Sequence, residues 1–358
     1  MNNKDILVIH PYLKKKRINK DYFLEEAVNL VKAINLNCID SLLVGLDKIS
    51  SKTFLNKGFI RKIKLEASNS KIDLLLVNTN LSPIQHRNLE KELNCKVLDR
   101  TSLILEIFGS RARSNEGKLS VMLASFEYQK SRLVRSWTHL ERQRGGAGFM
   151  GGPGEKQIES DRRQLTEKIN GLKKKIKNII LSRNNQRYRR KKNKVPIISL
   201  IGYTNSGKST LFNKLTKSNV LSKDMLFASL DSTIRKSFFK NVNFLFVDTV
   251  GFIRDLPTTL IDAFKSTLDE IIYSDLILHV RDVSSQYYLE QRDEVIKILH
   301  EIGIYDDDKR IIDVINKVDL MKNLNKYHNS FNDQSVYVSA LSGEGIQELK
   351  SKIANKII

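Results

Sequence analysis

The sequence predicts an α/β chain in three parts: a small N-terminal α/β domain, an antiparallel helical hairpin (coiled coil) with a Gly-rich tip, and a C-terminal P-loop domain. Three observations predict it. Short apolar runs alternate with helix-period stretches from Asp5 to about Arg113. Two long stripes of apolar residues at steps of three and four then flank a glycine-rich segment. Finally, an apolar run ends at Gly202, and Gly202-Tyr203-Thr204-Asn205-Ser206-Gly207-Lys208-Ser209 fits the phosphate-binding loop pattern at every fixed position.

Composition bounds the alternatives. At 358 residues the chain can hold two or three domains with their own cores. Its two cysteines, Cys38 and Cys95, have neither metal-ligand spacing nor the density of a disulfide scaffold, so a reducing, cytoplasmic setting is expected. No apolar run approaches the roughly 20 residues of a membrane span, and no apolar segment of signal-peptide type follows Met1. The formal net charge is +21, and it is concentrated: no acidic residue occurs between Lys168 and Lys223, and Lys173 to Lys194 carries eleven Lys or Arg. Such a block favours a polyanion, because clustered cations release the counterions condensed on nucleic acid.

In the first part, residues 1–114, Ile6–Ile9, Ser41–Val44, Ile72–Val77 and Lys96–Asp99 read as strands, and Asp21–Ile34 and Thr101–Arg113 as helices. Ser82 suits an N-cap and Pro83 the first turn of a helix running to Leu93. His10 and His86 stand alone and are read as structural or surface residues.

The second part covers residues 115–185. Leu119, Met122, Phe126, Leu133 and Leu140 form one seam, and Leu165, Ile169, Leu172, Ile176 and Ile179 a stricter one. Two such helices joined by a short loop pack antiparallel, each covering the other's stripe. Their tip, residues 145–154, holds six of the seventeen glycines. It contains a Gly-x-Gly-x-x-Gly spacing, but it follows a polar, Arg-bearing helix rather than a strand, so a dinucleotide site is rejected. A glycine-rich backbone bearing Gly148, Phe149 and Gly151, flanked by Arg142, Arg144 and Lys156, can instead approach RNA closely and stack on a base; a plain flexible linker is the alternative. Residues 186–194 read as a basic linker.

The third part is residues 195–358. The loop from Gly202 to Thr210 offers backbone N–H groups to phosphates at the positive end of a helix, with Lys208 reaching the β- and γ-phosphates and Ser209 ligating Mg2+. Thr233 would complete the Mg2+ shell and sense the γ-phosphate. Asp248-Thr249-Val250-Gly251, at the end of a buried-strand run, has the Asp-x-x-Gly form: Asp248 would hold Mg2+ through water and the Gly251 N–H would bond the γ-phosphate. Asn316-Lys317-Val318-Asp319 follows another strand, and a carboxylate at Asp319 accepts from two donors of guanine that adenine lacks. Ser339-Ala340 is suited to contact the guanine O6 through a backbone N–H. GTP and GDP are therefore the expected nucleotides.

The nucleotide domain resembles a translation-factor-class GTPase, and the whole chain resembles the HflX family of ribosome-associated GTPases. The resemblance rests on Leu98-Asp-Arg-Thr-Ser-Leu-Ile-Leu-Glu-Ile-Phe108, Arg111-Ala-Arg113, Gly151-Gly-Pro-Gly-Glu155, Asp161-Arg-Arg163 and Phe246-Val-Asp-Thr-Val-Gly-Phe-Ile253 with Leu256-Pro257. It implies a Ras-like P-loop GTPase domain, docking on the 50S ribosomal subunit and its 23S rRNA with the glycine loop near the peptidyl-transferase centre, and splitting or rescue of stalled 70S ribosomes under stress by a monomeric, cytoplasmic factor. Two departures stand out. Ser232 occupies a place where the family commonly has Pro, and the sequence ends where many members carry a further domain, so that domain's role is not inherited.

Two expectations concern mechanism. Phe252 follows Gly251, where Ras-like enzymes place a water-orienting glutamine, so intrinsic hydrolysis should be slow and raised by a ribosome that orders the switches. Asn205 lies where potassium-using GTPases have asparagine, so K+ is a candidate cofactor; bracing of the loop is its other reading. The alternative function is a GTP-switched rRNA- or tRNA-binding assembly factor in which hydrolysis only resets binding. ATP use by the N-terminal domain stays open.

Overall fold

Continuous apolar runs such as Leu74-Leu-Leu-Val77 and Ile197-Ile-Ser-Leu-Ile201 are buried at every position, as central strands of parallel sheets covered on both faces must be. The computed structural model describes the chain apart from residues 1–3, 16–18, 71, 144–152, 193–194, 219–225, 228–231, 258–259, 261–264, 322–334 and 358. The chain divides into two units, Met1–Ser110 with Leu119–Ile176, and Arg111–Lys118 with Lys177–Ile358.

The first unit contains β1 (Asp5–Leu13), α1 (Lys20–Ala33), β2 (Asn37–Leu46), α2 (Lys57–Ser70), β3 (Leu74–Val77), α3 (Pro83–Leu93), β4 (Lys96–Asp99) and α4 (Arg100–Arg111). All neighbouring strands are parallel, in the order β2-β1-β3-β4. Ser82 caps α3 through a capping box with Gln85, and Pro83 opens the helix, as expected. The helix α2 was not foreseen, because its Gly, Asn and Ser residues dilute the apolar period. His10 and His86 are both structural. His86 Nε2 donates to Val97 O at 2.6 Å, while its Nδ1 lies 2.6 Å from Arg132 Nη1 and accepts from it.

The hairpin helices are α5 (Asn115–Gln143) and α6 (Pro153–Lys192). The expected α6 seam holds at its centre, where Ile169, Leu172 and Ile176 are buried. The α5 seam is corrected at Met122, which is 47% exposed; Leu119, Phe126 and Leu133 are half-buried, the Leu140 side chain lies outside the described residues, and the buried positions include Ser120, Val121, Leu123 and Ala124. Small residues admit close approach of a neighbouring backbone, and a search for large apolar side chains undervalues them. Residues 186–194, read as a linker, are helical through Lys192. The loop residues Arg144, Gly148, Phe149 and Gly151 and the side chains of Arg142 and Lys156 lie outside the described residues.

The second unit is built on a six-stranded sheet of order β10-β9-β8-β5-β7-β6. Its elements are β5 (Ile197–Ile201), α7 (Lys208–Thr216), β6 (Thr233–Phe239), β7 (Val242–Asp248), α8 (Lys265–Ile272), β8 (Leu276–Asp282), α9 (Tyr288–Glu301), β9 (Ile311–Asn316), β10 (Val336–Tyr337) and α10 (Ile346–Ile357). Among the described strands of this sheet, only β6 and β7 pair antiparallel. One core cluster joins β5, β7, β8 and β9 to α7 and α10 through residues such as Leu200, Phe212, Phe246, Leu278, Val314 and Leu349. This is the mixed α/β, P-loop architecture expected. The edge strand β6 was missed because Arg235, Lys236 and Ser237 interrupt its apolar alternation. No helix among the described residues is long and apolar enough to cross a membrane.

Candidate nucleotide-binding site

Four segments that the sequence singled out meet at the carboxyl ends of β5, β7, β9 and β10, the edge where open α/β sheets bind ligands. The loop after β5 turns on two glycines. Gly202 has φ 151°, and a Cβ there would lie 2.2 Å from Val280 O; Gly207 has φ 91°, and a Cβ would lie 2.1 Å from Asn316 Nδ2. No other residue fits either place. Asn205, at φ 63°, is the exposed tip of the loop. The helix α7 begins at Lys208, so the first-turn N–H groups have no helical partner and aim at the loop's concavity.

Lys208 is buried, and its Nζ donates to Tyr203 O at 2.6 Å. Burial pulls its pKa down to about 8; the Asp248 carboxylate opposes that pull and the Lys317 charge adds to it. Asp248 ends β7, buried, and accepts from Ser209 Oγ at 2.7 Å. Burial pushes its pKa up to about 6, against the Ser209 hydrogen bond and the Lys208 charge. The other carboxylate oxygen, Asp248 Oδ1, is buried with no hydrogen-bond partner among the described residues, as are Thr204 Oγ1 and Ser206 Oγ. Buried polar atoms are seldom left so. An unpaired carboxylate oxygen beside a serine hydroxyl is the hard-oxygen donor set that Mg2+ takes, so these residues fit the ion.

Thr233 opens β6 directly opposite Asp248, which puts both side chains on one face of the β6–β7 ladder. The segment after Asp248 is bound to the phosphate loop by backbone: Phe252 N donates to Gly202 O at 3.1 Å, and Thr204 N donates to Phe252 O at 2.8 Å. This bridge places Gly251 so close to the loop that a Cβ would lie 3.0 Å from Thr204 Cα and 3.1 Å from Lys208 Nζ. Val250 is half-buried, and the Thr249 hydroxyl donates to Leu200 O at 2.6 Å, tying the segment to β5. Phe252 is buried at 2% exposure, turned into protein.

Asn316 is a brace. Its Nδ2 donates to Ser206 O at 2.8 Å, and its Oδ1 accepts from Ala340 N at 2.9 Å, so one amide holds the phosphate loop and the Ser339 loop together. Sequence placed Asn316 among the nucleotide contacts; both ends of its amide are engaged with protein. Lys317, at φ 63°, ion-pairs with Asp282 at 2.7 Å, a partner the sequence did not suggest. Asp319 lies in the 3-10 turn Val318–Leu320 with its side chain exposed. Ser339 is buried, and its Oγ accepts from Ser342 N at 3.1 Å, which fixes the loop.

Comparison with known proteins gives the family. The family described as "GTP-binding GTPase N-terminal" matches residues 21–109, "GTP-binding GTPase Middle Region" residues 111–190, and "50S ribosome-binding GTPase" residues 197–317. GTPase HflX of Magnetococcus marinus is 44% identical over 336 residues, covering 93% of this chain and 77% of the relative. GTPase HflX of Escherichia coli (strain K12) is 37% identical over 355 residues, covering 98% and 82%. Among solved structures, a GTP-binding protein of Sulfolobus solfataricus in complex with GDP is 25% identical with TM-score 0.50, covering 99% of this chain and 98% of that one.

Proposed function

The chain belongs to the HflX family of GTPases, and from that premise we propose that it binds the 50S ribosomal subunit in its GTP-bound state and splits or rescues stalled ribosomes under stress. It binds guanine nucleotide and is a GTPase. The observation that carries the proposal is the backbone bridge between Gly202–Thr204 and Phe252: the segment that senses the γ-phosphate is fastened to the loop that holds the phosphates, so nucleotide state is transmitted to the surface.

In this reading Lys208 and the loop N–H groups from Asn205 to Thr210 grip the phosphates, the Gly251 N–H bonds the γ-phosphate, and Asp319 reads guanine; the Ala340 N–H, expected at the guanine O6, is instead taken by Asn316 Oδ1. Ser209, Thr233 and Asp248 would hold Mg2+, which when bound neutralises charge on the transferring phosphoryl group. Phe252 is buried and cannot orient a water, so intrinsic turnover is slow, and ordering of the switches by the ribosome raises it. Asn205, exposed at the loop tip, offers its oxygen to a K+ beside the phosphates; equal rates in KCl and NaCl at matched ionic strength would remove that role. The domains act as the sequence divides them: the N-terminal domain and hairpin dock, with Arg142, Arg144, Gly148, Phe149, Gly151 and Lys156 touching rRNA, and the G domain controls docking.

Sedimentation of 70S ribosomes with the protein plus GTP or a non-hydrolysable analogue tests the proposal. Tight 50S association with the analogue, loss of it with GDP, and growth of free subunits are expected. Equal RNA binding with GTP, GDP or no nucleotide would reduce the protein to a nucleotide-indifferent RNA-binding module.

A further inference from the structure

The strands β6 and β7 form a hairpin whose base is the phosphate site and whose tip is basic. At the base, Thr233 stands opposite Asp248; six residues along, Phe239 stands opposite Val242, and Lys240 and Asn241 close the turn with φ 49° and 58°. Positive φ at both turn residues gives a type I′ turn, which fixes the register of the ladder. At about 3.4 Å per residue the tip lies roughly 20 Å from the base.

The ladder is uninterrupted, and its inner face is pinned to the core. Phe239 stacks on Phe244 at 4.3 Å, and Ser237 Oγ donates to Leu215 O at 2.8 Å. Slippage by one residue would turn every inner side chain outward, so displacement at the tip moves the base instead of being absorbed. The opposite face is unlike the inner one. Lys236 and Phe238 alternate with the pinned residues and are exposed, Phe238 at 65%, and Lys240 is exposed at the turn. Between Asp231 and Asp248 the sequence has three cations and no acidic residue. β6 is also the edge strand of its sheet among the described residues. An aromatic ring open to solvent between two ammonium groups, on an edge strand free of carboxylates, matches single-stranded RNA, whose base stacks on the ring while flanking phosphates take the cations.

We propose that the outer face of the β6–β7 hairpin, Lys236, Phe238 and Lys240, docks on an unpaired ribosomal RNA segment, and that the hairpin carries this contact to Thr233 and Asp248 as the trigger of GTP hydrolysis. This rests on the ribosome-dependent reading above and names the surface through which the ribosome acts. The contact orders the first switch at its junction with β6 and leaves the phosphate loop untouched. Stimulation and intrinsic turnover are therefore separable.

The test uses the full chain with Phe238→Ala and with the pair Lys236→Glu and Lys240→Glu, measuring affinity for a fluorescent GTP analogue, turnover alone, and turnover with saturating 50S subunits. Both variants should keep nucleotide affinity and intrinsic turnover and lose roughly tenfold in stimulation, in line with the loss of one base stack or two phosphate contacts. In the charge-reversed pair the slope of log affinity for 50S against log salt should fall by about 1.5 to 2. A benzophenone side chain at position 238 should crosslink to RNA. Wild type unstimulated by 50S subunits would sink the ribosome-dependent reading and this inference with it. Wild type stimulated, with both variants stimulated equally, would overturn this inference alone, as would crosslinks confined to ribosomal protein.

Discussion

The chain carries one parallel and one mixed α/β sheet, and each gathers polar side chains at the carboxyl ends of its strands, but the carboxylates in the two gatherings are satisfied differently. In the N-terminal unit Arg100, 1% exposed, donates to Glu26 at 2.7 Å and to Asn78 at 2.8 Å, and Asn78 donates to Phe23 O at 2.8 Å. Beside them Asp99 accepts from Tyr128 and Arg132 at 2.6 Å each. Every charge there meets a counter-charge or a donor. In the nucleotide domain Asp248, Thr204 and Ser206 keep buried oxygens without partners among the described residues, and Lys208 is held charged against burial. Such a cluster is costly in itself and becomes favourable when an anion and a cation enter it. Polar side chains in the first sheet serve the fold, whereas Asp248, Thr204 and Ser206 in the second keep oxygens suited to a ligand.

The contrast yields paired predictions. Lys208→Ala should lower GTP turnover at least 100-fold, because a buried cation at the transferring phosphate is lost, while leaving nucleotide-free thermal stability undiminished. A turnover assay and a melting curve on one preparation decide it, and a large drop in melting temperature would break the contrast. Glu26→Gln should do the reverse. It leaves the Arg100 charge buried against a neutral amide, so stability should fall by about 3 kcal/mol, measured by denaturant titration, with GTP affinity of the folded protein unchanged.

What was legible in the sequence follows from where each constraint originates. Gly202 and Gly207 are imposed by local backbone geometry and a neighbouring atom about 2 Å from any Cβ, so the loop motif announces itself. Ser82 with Gln85, and the three-four steps of α6, are likewise set within a few residues. The Arg100–Glu26 pair joins residues 74 apart, and the Asn316 bridge to Ser206 spans 110, so no window of sequence holds both partners. Thr249 looked like a phosphate-side residue, yet its hydroxyl is taken by Leu200 O, which only the β5–β7 pairing could reveal. Edge strand β6 escaped notice because exposure lets charges replace the apolar residues that mark a strand.

A third variant tests whether satisfaction of polar groups, rather than location, marks the structural class. His279 on β8 is buried against Asp313 at 3.1 Å, and Arg281 lies 3.5 Å from the same carboxylate, inside the nucleotide domain on the strand beside β5. Burial holds the His279 pKa below its usual value, opposed by the Asp313 hydrogen bond. Burial also pushes Asp313 upward, but the His279 hydrogen bond and the charges of His279, Arg281 and Arg292 outweigh it, leaving Asp313 below the usual range. A depressed histidine contributes stability above about pH 6.5 that is lost as pH falls, and a depressed carboxylate holds its contribution to lower pH still. Asp313→Asn should cost about 1–3 kcal/mol at pH 7 and leave turnover alone. The deficit should widen towards pH 5, because His279 without the carboxylate resists protonation more strongly; a deficit that stays constant between pH 7 and pH 5 would count against the pairing.

Tyr203 sits between the two classes and sets the finest test. Its backbone belongs to the phosphate loop, but its ring is buried at 4% exposure and its hydroxyl accepts from Arg254 N at 3.2 Å, beyond the bridge at Phe252. The hydroxyl therefore fastens the far end of the segment whose near end carries Gly251. Removing it leaves the phosphate loop and both backbone bonds of the bridge in place. Tyr203→Phe should cost about 1 kcal/mol of positioning, which appears as a two- to tenfold fall in kcat with KM for GTP nearly unchanged. A rise in KM at constant kcat would instead make the tyrosine part of the phosphate grip, and its hydroxyl would then belong with Lys208 rather than with the braces.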